Sequence, residues 1–77
     1  MVTVRVYVTL KASLLDSAGR AVADSLTKLG YEEVEGVRIG KQIELKLARY
    51  DEAHVNQMCS KLLANPVIED YRIEVLA

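Results

Sequence analysis

The chain contains no phenylalanine and no tryptophan, and it has one cysteine, one proline and one histidine among its 77 residues. Because four tyrosines are its only aromatic residues, a core must be built from valine, leucine, isoleucine and alanine. A chain of this length buries only about 60% of its surface on folding, so this core is thin. We therefore expect self-association, which adds buried apolar surface.

Neither sign of charge dominates, since the chain has 10 Lys and Arg residues and 11 Asp and Glu residues. That balance excludes the basic surface typical of proteins that bind nucleic acid or anionic membranes. The lone cysteine cannot form an internal disulfide, which fits a reducing compartment. The opening MVTVRVYVTL alternates polar and apolar residues, unlike a signal peptide or a membrane span. We expect one cytoplasmic domain over residues 1–77, with no nucleic acid and no membrane among its partners.

Two segments repeat apolar residues at helical spacing between recognisable helix caps. In the first segment, Asp16 is a good N-cap and Gly30 stands where a helix commonly ends. The second begins after Asp51 and ends at Asn65-Pro66. The apolar stripes consist of Ala18, Val22, Leu26 and Leu29 in the first segment and Val55, Met58, Cys59, Leu62 and Leu63 in the second. These patterns predict two amphipathic helices.

Alternation of apolar and polar residues predicts four strands. The first covers residues 2–10, and the last runs from Glu69-Asp70 to residue 75. Between them, VEGVRIGKQIELKL is interpreted as a hairpin that turns at Gly40-Lys41. The order β-α-β-β-α-β is that of the ferredoxin-like fold, a four-stranded antiparallel sheet with both helices on one face. A dimer that exchanges strands or hairpins between chains has the same pattern.

The spacing of reactive residues does not predict a catalytic site. Cys59 and His54 point about 140° apart on the second helix, so they do not form a nucleophile and its base. We predict a core position for Cys59 and a surface position for His54. Glu69 and Asp70 are adjacent in a strand and point to opposite faces, which excludes a carboxylate pair. With no second cysteine or histidine, a zinc site within one chain is unsupported. We expect the chain to work by contact.

Four pieces of the sequence together resemble the PurS family, the small subunit of phosphoribosylformylglycinamidine synthase. LLDSAGRAVADSLTKLGY, VRIGKQIEL and LLANPVIEDYRIEV follow an opening strand that runs into LK. One departure is Ser17 after Asp16, where the family often has proline. Proline is favourable at the first helical position but not required, so the departure concerns only the local stability of the helix.

The resemblance implies a non-catalytic subunit of a three-part enzyme of de novo purine biosynthesis. The implied partners are a glutaminase subunit, which releases ammonia, and a large synthetase subunit, which holds ATP and Mg²⁺. This chain would hold no cofactor, would bridge the other two and support ammonia transfer, and would form a dimer or a tetramer. We predict that its partner contacts involve Arg38, Gly40, Lys41, Asn65, Pro66, Glu69 and Asp70.

A second hypothesis is a dimeric regulatory module of the same architecture that binds an amino acid between subunits. A glycine-containing loop between the first strand and the first helix would favour it. The segment KASLLDSAG offers only Gly19, which is expected within the first helical turn. A panel of amino acids in a thermal-shift assay separates the two hypotheses.

Overall fold

The computed structural model describes residues 1–76 and contains three strands and two helices. The elements are β1 (Val2–Leu10), α1 (Ser17–Lys28), β2 (Gly40–Leu47), α2 (Glu52–Met58) and β3 (Glu69–Val75). The end of α2 continues into one π-helical turn, Cys59–Leu63. Within the described residues, no helix has the length and apolar character that crossing a membrane requires.

The sheet has β1 at its centre, with β2 and β3 antiparallel on either side. Because side chains alternate along a strand, Val4, Val6 and Val8 all point to one face, and all three are buried. In the register of the sheet, Val6 lies opposite Ile43 of β2 and Ile73 of β3. The alternating valines of the sequence therefore form the central row of the core.

The opposite face of the sheet is polar, as the alternation predicts. Arg5 lies between Glu44 and Glu74 in the register. The hydroxyl of Tyr7 donates a hydrogen bond to Glu74 Oε1 at 3.1 Å, and the guanidinium of Arg72 lies 4.3 Å from the centre of the Tyr7 ring. The hydrogen bond between Tyr7 and Glu74 and the cation–π contact between Arg72 and Tyr7 stabilise this face without burying apolar surface.

The predicted four-stranded sheet is wrong for residues 1–76, which form a three-stranded sheet. Residues 34–39 are not a strand, and Gly40 begins β2 instead of turning a hairpin. The backbone N–H of Ile39 donates to Asp16 Oδ2 at 2.7 Å, and the Arg38 guanidinium donates to the carbonyl of Leu10. These contacts hold the segment against the start of α1, where it cannot pair with β2.

The predicted packing of both helices on one face is also corrected, because only α2 and its π-helical turn cover the sheet. In the described chain, the buried cluster contains Val55 and Cys59 from this segment and no side chain of α1. The stripe residues Val22 and Leu29 of the first helical segment are exposed. The molecule is accordingly elongated, 47 × 26 × 14 Å. Its radius of gyration of 15.7 Å exceeds the roughly 11–12 Å of a compact chain of this length.

Replacing Gly40 by alanine tests the close approach of β1 and β2. A Cβ on Gly40 would overlap the carbonyl oxygen of Val8, whereas a Cβ on Gly36 would meet nothing within 4 Å. We expect Gly40→Ala to lower the free energy of unfolding by roughly 1–3 kcal/mol, since backbone must move to admit the methyl group. The matched control Gly36→Ala should leave it unchanged or slightly raised. Equal effects in urea denaturation would contradict the account.

Candidate functional site

The residues predicted to contact partners gather at one end of the sheet, where β1 ends and β2 and β3 begin. Gly40 and Asp70 lie opposite Thr9 from its two sides. We call this group the sheet-end cluster; it consists of Arg38, Gly40, Lys41, Asn65, Pro66, Glu69 and Asp70. The structure thus brings together residues that are up to 32 positions apart in the sequence.

One half of the sheet-end cluster is a tight turn organised by Asn65. Its side-chain Oδ1 accepts a hydrogen bond from the N–H of Val67 at 3.1 Å. Its carbonyl accepts from the N–H groups of Ile68 at 3.1 Å and Glu69 at 2.7 Å. Its own N–H donates to Glu69 Oε1 at 2.7 Å. The turn is therefore stabilised by hydrogen bonds between its own residues, and the carboxylate of Glu69 is one of the acceptors.

Lys11 joins this turn to the rest of the sheet, a role that the sequence pattern did not reveal. Its backbone N–H donates to the carbonyl of Ile68 at 2.9 Å, and its ammonium forms an ion pair with Asp70 at 2.9 Å. The pair is exposed, so its own contribution to stability is small. Lys11 reaches this turn because of the register of β1 against β3. A single sequence does not specify that register, so it gave no indication of this role.

The other half of the sheet-end cluster consists of Arg38, Gly40 and Lys41, and two of these residues support the fold. The Arg38 guanidinium donates to the carbonyl of Leu10 and, at 3.5 Å, approaches that of Lys11. Gly40 is required by the close approach to Val8. Lys41 is exposed, and no ion pair involves it within residues 1–76. Within residues 1–76, the side chain of Lys41 makes no hydrogen bond or ion pair, and Pro66 makes none either.

Asp16 sets the position of α1 relative to this site. Its Oδ1 accepts from the N–H of Gly19 at 2.8 Å, which confirms the predicted N-cap. Its Oδ2 accepts from the N–H of Ile39. The hydrogen bond from Ile39, the one from Gly19 and the positive charge of Arg38 lower the pKa of Asp16. One carboxylate thus caps the helix and fastens it to the approach to β2.

The candidate reactive groups are placed as the sequence predicts. Cys59 is fully buried in the core, and burial raises the pKa of its thiol, which disfavours the reactive thiolate. His54 is exposed, with Nδ1 3.5 Å from Asp51 Oδ2. Across residues 1–76 we find no pocket and no group of three or more His, Cys, Asp or Glu residues suited to a metal ion.

Comparison with known proteins identifies the family. The profile of PurS, phosphoribosylformylglycinamidine (FGAM) synthase, matches residues 3–77. The FGAM synthase subunit PurS of Synechocystis is 54% identical over 77 residues, which cover 95% of this chain and 77% of that protein. The chain belongs to the PurS family.

Solved structures of the PurS family share this shape. The structure of Bacillus subtilis PurS is 51% identical, covers both chains completely and superposes with a TM-score of 0.93. A chain in the PurLQS structure from Thermotoga maritima is 25% identical, covers 97% of this chain and 96% of that chain, and has a TM-score of 0.85. Since both superpositions include nearly the whole chain, the elongated form with α1 away from the sheet fits the relatives as well.

The feature that would favour a ligand-binding regulatory module is absent at the start of α1. Gly19 is buried, and a Cβ there would overlap the carbonyl oxygen of Val37. Gly19 therefore allows the close approach of Val37 to the helix. Its N–H is bonded to Asp16 and is not free to bind a ligand.

The pH dependence of stability tests the role of Asp16. Its lowered pKa means that the folded state prefers the carboxylate. The stabilisation is therefore complete above the ordinary aspartate pKa of about 3.9 and is lost as pH falls through the lowered value. We expect Asp16→Asn, which can still cap the helix, to have a lower melting temperature than the wild type at pH 7. On acidification, the melting temperature of this variant should fall less than that of the wild type.

The matched control is Asp24→Asn, which removes an aspartate from the same helix at an exposed position where the described residues provide no hydrogen bond or ion pair. It should follow the wild-type melting curve from pH 7 to pH 3. If Asp16→Asn and Asp24→Asn gave the same pH profile, the assigned role of Asp16 would be wrong.

Proposed function

We propose that this chain is the non-catalytic small subunit of three-part phosphoribosylformylglycinamidine synthase and acts in the cytoplasm in de novo purine biosynthesis. In this proposal it bridges the glutaminase subunit and the ATP-dependent synthetase subunit and supports ammonia transfer between them. Membership of the PurS family supports the assignment, as does the similar chain in PurLQS. ATP and Mg²⁺ belong to the synthetase subunit, and none is assigned to this chain.

The observation that best supports a function in protein–protein binding is the apolar surface that the fold leaves uncovered. Val22 of α1 and Leu29, the C-cap that follows it, are exposed, and Leu26 is only half-buried. A helix of 12 residues that is held to the rest of the chain at its first turn and leaves its apolar stripe uncovered gains little stability from packing. A partner surface over this stripe would therefore stabilise it.

A complementary surface lies on the sheet of the same chain. On the core face of β2, Ile43, Leu45 and Leu47 are only half-buried, because α2 covers the valines of β1 and leaves this side open. A second copy placed about a two-fold axis would lay its α1 on this side of the sheet and receive the first α1 in return. Such an isologous contact buries both surfaces at once. This supports the homodimer in the proposal.

The bridging role has a physical rationale in the transfer of ammonia. Ammonia must pass between two active sites without escape or protonation, which requires that the subunits close a path from which water is excluded. A rigid adaptor that touches both larger subunits raises the effective concentration of one near the other. The polar face of the sheet and the sheet-end cluster remain available for these contacts when α1 is covered.

Charge on the apolar stripe of α1 should dissociate the homodimer. We expect Val22→Glu to raise the dissociation constant by about tenfold or more, since burying an unpaired carboxylate is costly. The matched control Arg20→Glu introduces the same side chain at an exposed position of the same helix and should keep the wild-type mass. Sedimentation equilibrium gives both constants. Equal dissociation of the two variants would exclude this helix from the interface.

Steady-state kinetics test the bridging role. The rate of FGAM formation by the two larger subunits is measured with and without this chain, first with glutamine and then with ammonium as nitrogen source. We expect the glutamine-dependent rate to require the chain and the ammonium-dependent rate to be independent of it. If neither rate changes on adding the chain, it does not couple the two sites.

A further inference from the structure

The π-helical turn at the end of α2 directs a leucine away from the core. An α-helical continuation would place Leu62 on the buried stripe, three residues after Cys59 and seven after Val55. Instead, the N–H of Ala64 bonds to the carbonyl of Cys59 at 2.8 Å, and this wider turn leaves Leu62 83% exposed. Leu63 packs against the core and Ala64 is buried. Turns of this kind are rare and occur frequently at functional sites.

A second exposed apolar residue follows on the same segment. Val67 is 78% exposed and Ile68 is 40% exposed, and the N–H groups of both residues donate hydrogen bonds to Asn65. We call residues 62–67 the Leu62–Val67 turn. Its backbone is already ordered in the free chain, so binding through it incurs little additional conformational entropy.

The charge around the Leu62–Val67 turn indicates the chemistry of its partner. From Ser60 to Ile68, Lys61 is the single charged residue. Of the two carboxylates that follow, Glu69 accepts the N–H of Asn65 and Asp70 is paired with Lys11. Lys61 is exposed, and no ion pair involves it within the described chain. A complementary surface therefore presents an apolar cleft with carboxylates at its rim.

We infer that the Leu62–Val67 turn inserts into an apolar, acid-rimmed cleft on one of the two larger subunits; this inference rests on the proposed function. A second copy of the chain is not the occupant, because the stripe of α1 and the open side of β2 complement each other and account for self-association. The turn belongs to neither surface, since it lies in the connection from α2 to β3. It extends the sheet-end cluster through Asn65 and Pro66, which it contains.

The test is assembly of the double variant Leu62→Asp/Val67→Asp with the two larger subunits. Both side chains are exposed in the free chain, so the variant should retain the wild-type circular dichroism and the wild-type mass of the isolated chain. We expect its affinity for the larger subunits, measured by titration calorimetry, to fall about tenfold or more, because two apolar contacts are lost and charge meets an apolar cleft.

Two further variants serve as controls. Ala53→Asp adds a carboxylate in the exposed first turn of α2, outside the Leu62–Val67 turn, and should bind as the wild type does. Lys61→Glu should weaken binding, and raising the salt concentration should weaken the wild type more than this variant.

The outcomes separate the inference from the proposed function. If the wild-type chain itself does not join the larger subunits, the proposed function fails and the inference fails with it. If the wild type and Leu62→Asp/Val67→Asp join equally well, the inference is wrong and the proposed function stands. If the double variant changes the mass of the isolated chain, the turn contacts a second copy and the inference is likewise overturned.

Discussion

The structure depends on one carboxylate, that of Asp16, which binds two parts of the chain at once. It accepts the N–H of Gly19 at the start of α1 and the N–H of Ile39 before β2. Gly19 allows the carbonyl of Val37 to approach the helix where a side chain would block it. These contacts fix α1 at the end of the sheet and direct it away from the core. The open stripe of α1, the half-covered β2 and the elongated shape all follow from this geometry.

Much of the local structure could be predicted because it depends on local chemistry. Alternating valines specify β1, and Asp16 and Asp51 cap the two helices as expected. Gly30 ends α1 in a left-handed conformation with φ 100°, while the N–H of Tyr31 bonds to the carbonyl of Leu26 at 3.0 Å. This is the Schellman arrangement that a C′ glycine favours.

The errors concern contacts between distant parts of the chain. Gly40 suggested a hairpin because glycine is common in two-residue turns, but here it is required by the approach of Val8 across the strand pair. Ile39 fits an apolar alternation, yet its N–H is bonded to Asp16, so the fourth strand does not form. Leu62 fits a helical stripe but is turned outward by the π-helical turn. Residues predicted to contact partners do gather at one end of the sheet, although Lys11, which joins them, gave no signal in the sequence.

In the proposed homodimer α1 is packed against a second copy of the chain, and amide hydrogen exchange of the unmodified protein tests this most directly. A 12-residue helix that lacked packing would open readily, and its amides would exchange nearly as fast as those of a free peptide. We predict that the amides of α1 are protected to a degree similar to those of β1, and that their protection falls on dilution. Fast exchange throughout α1 at every concentration would contradict the claim that a second copy covers this helix.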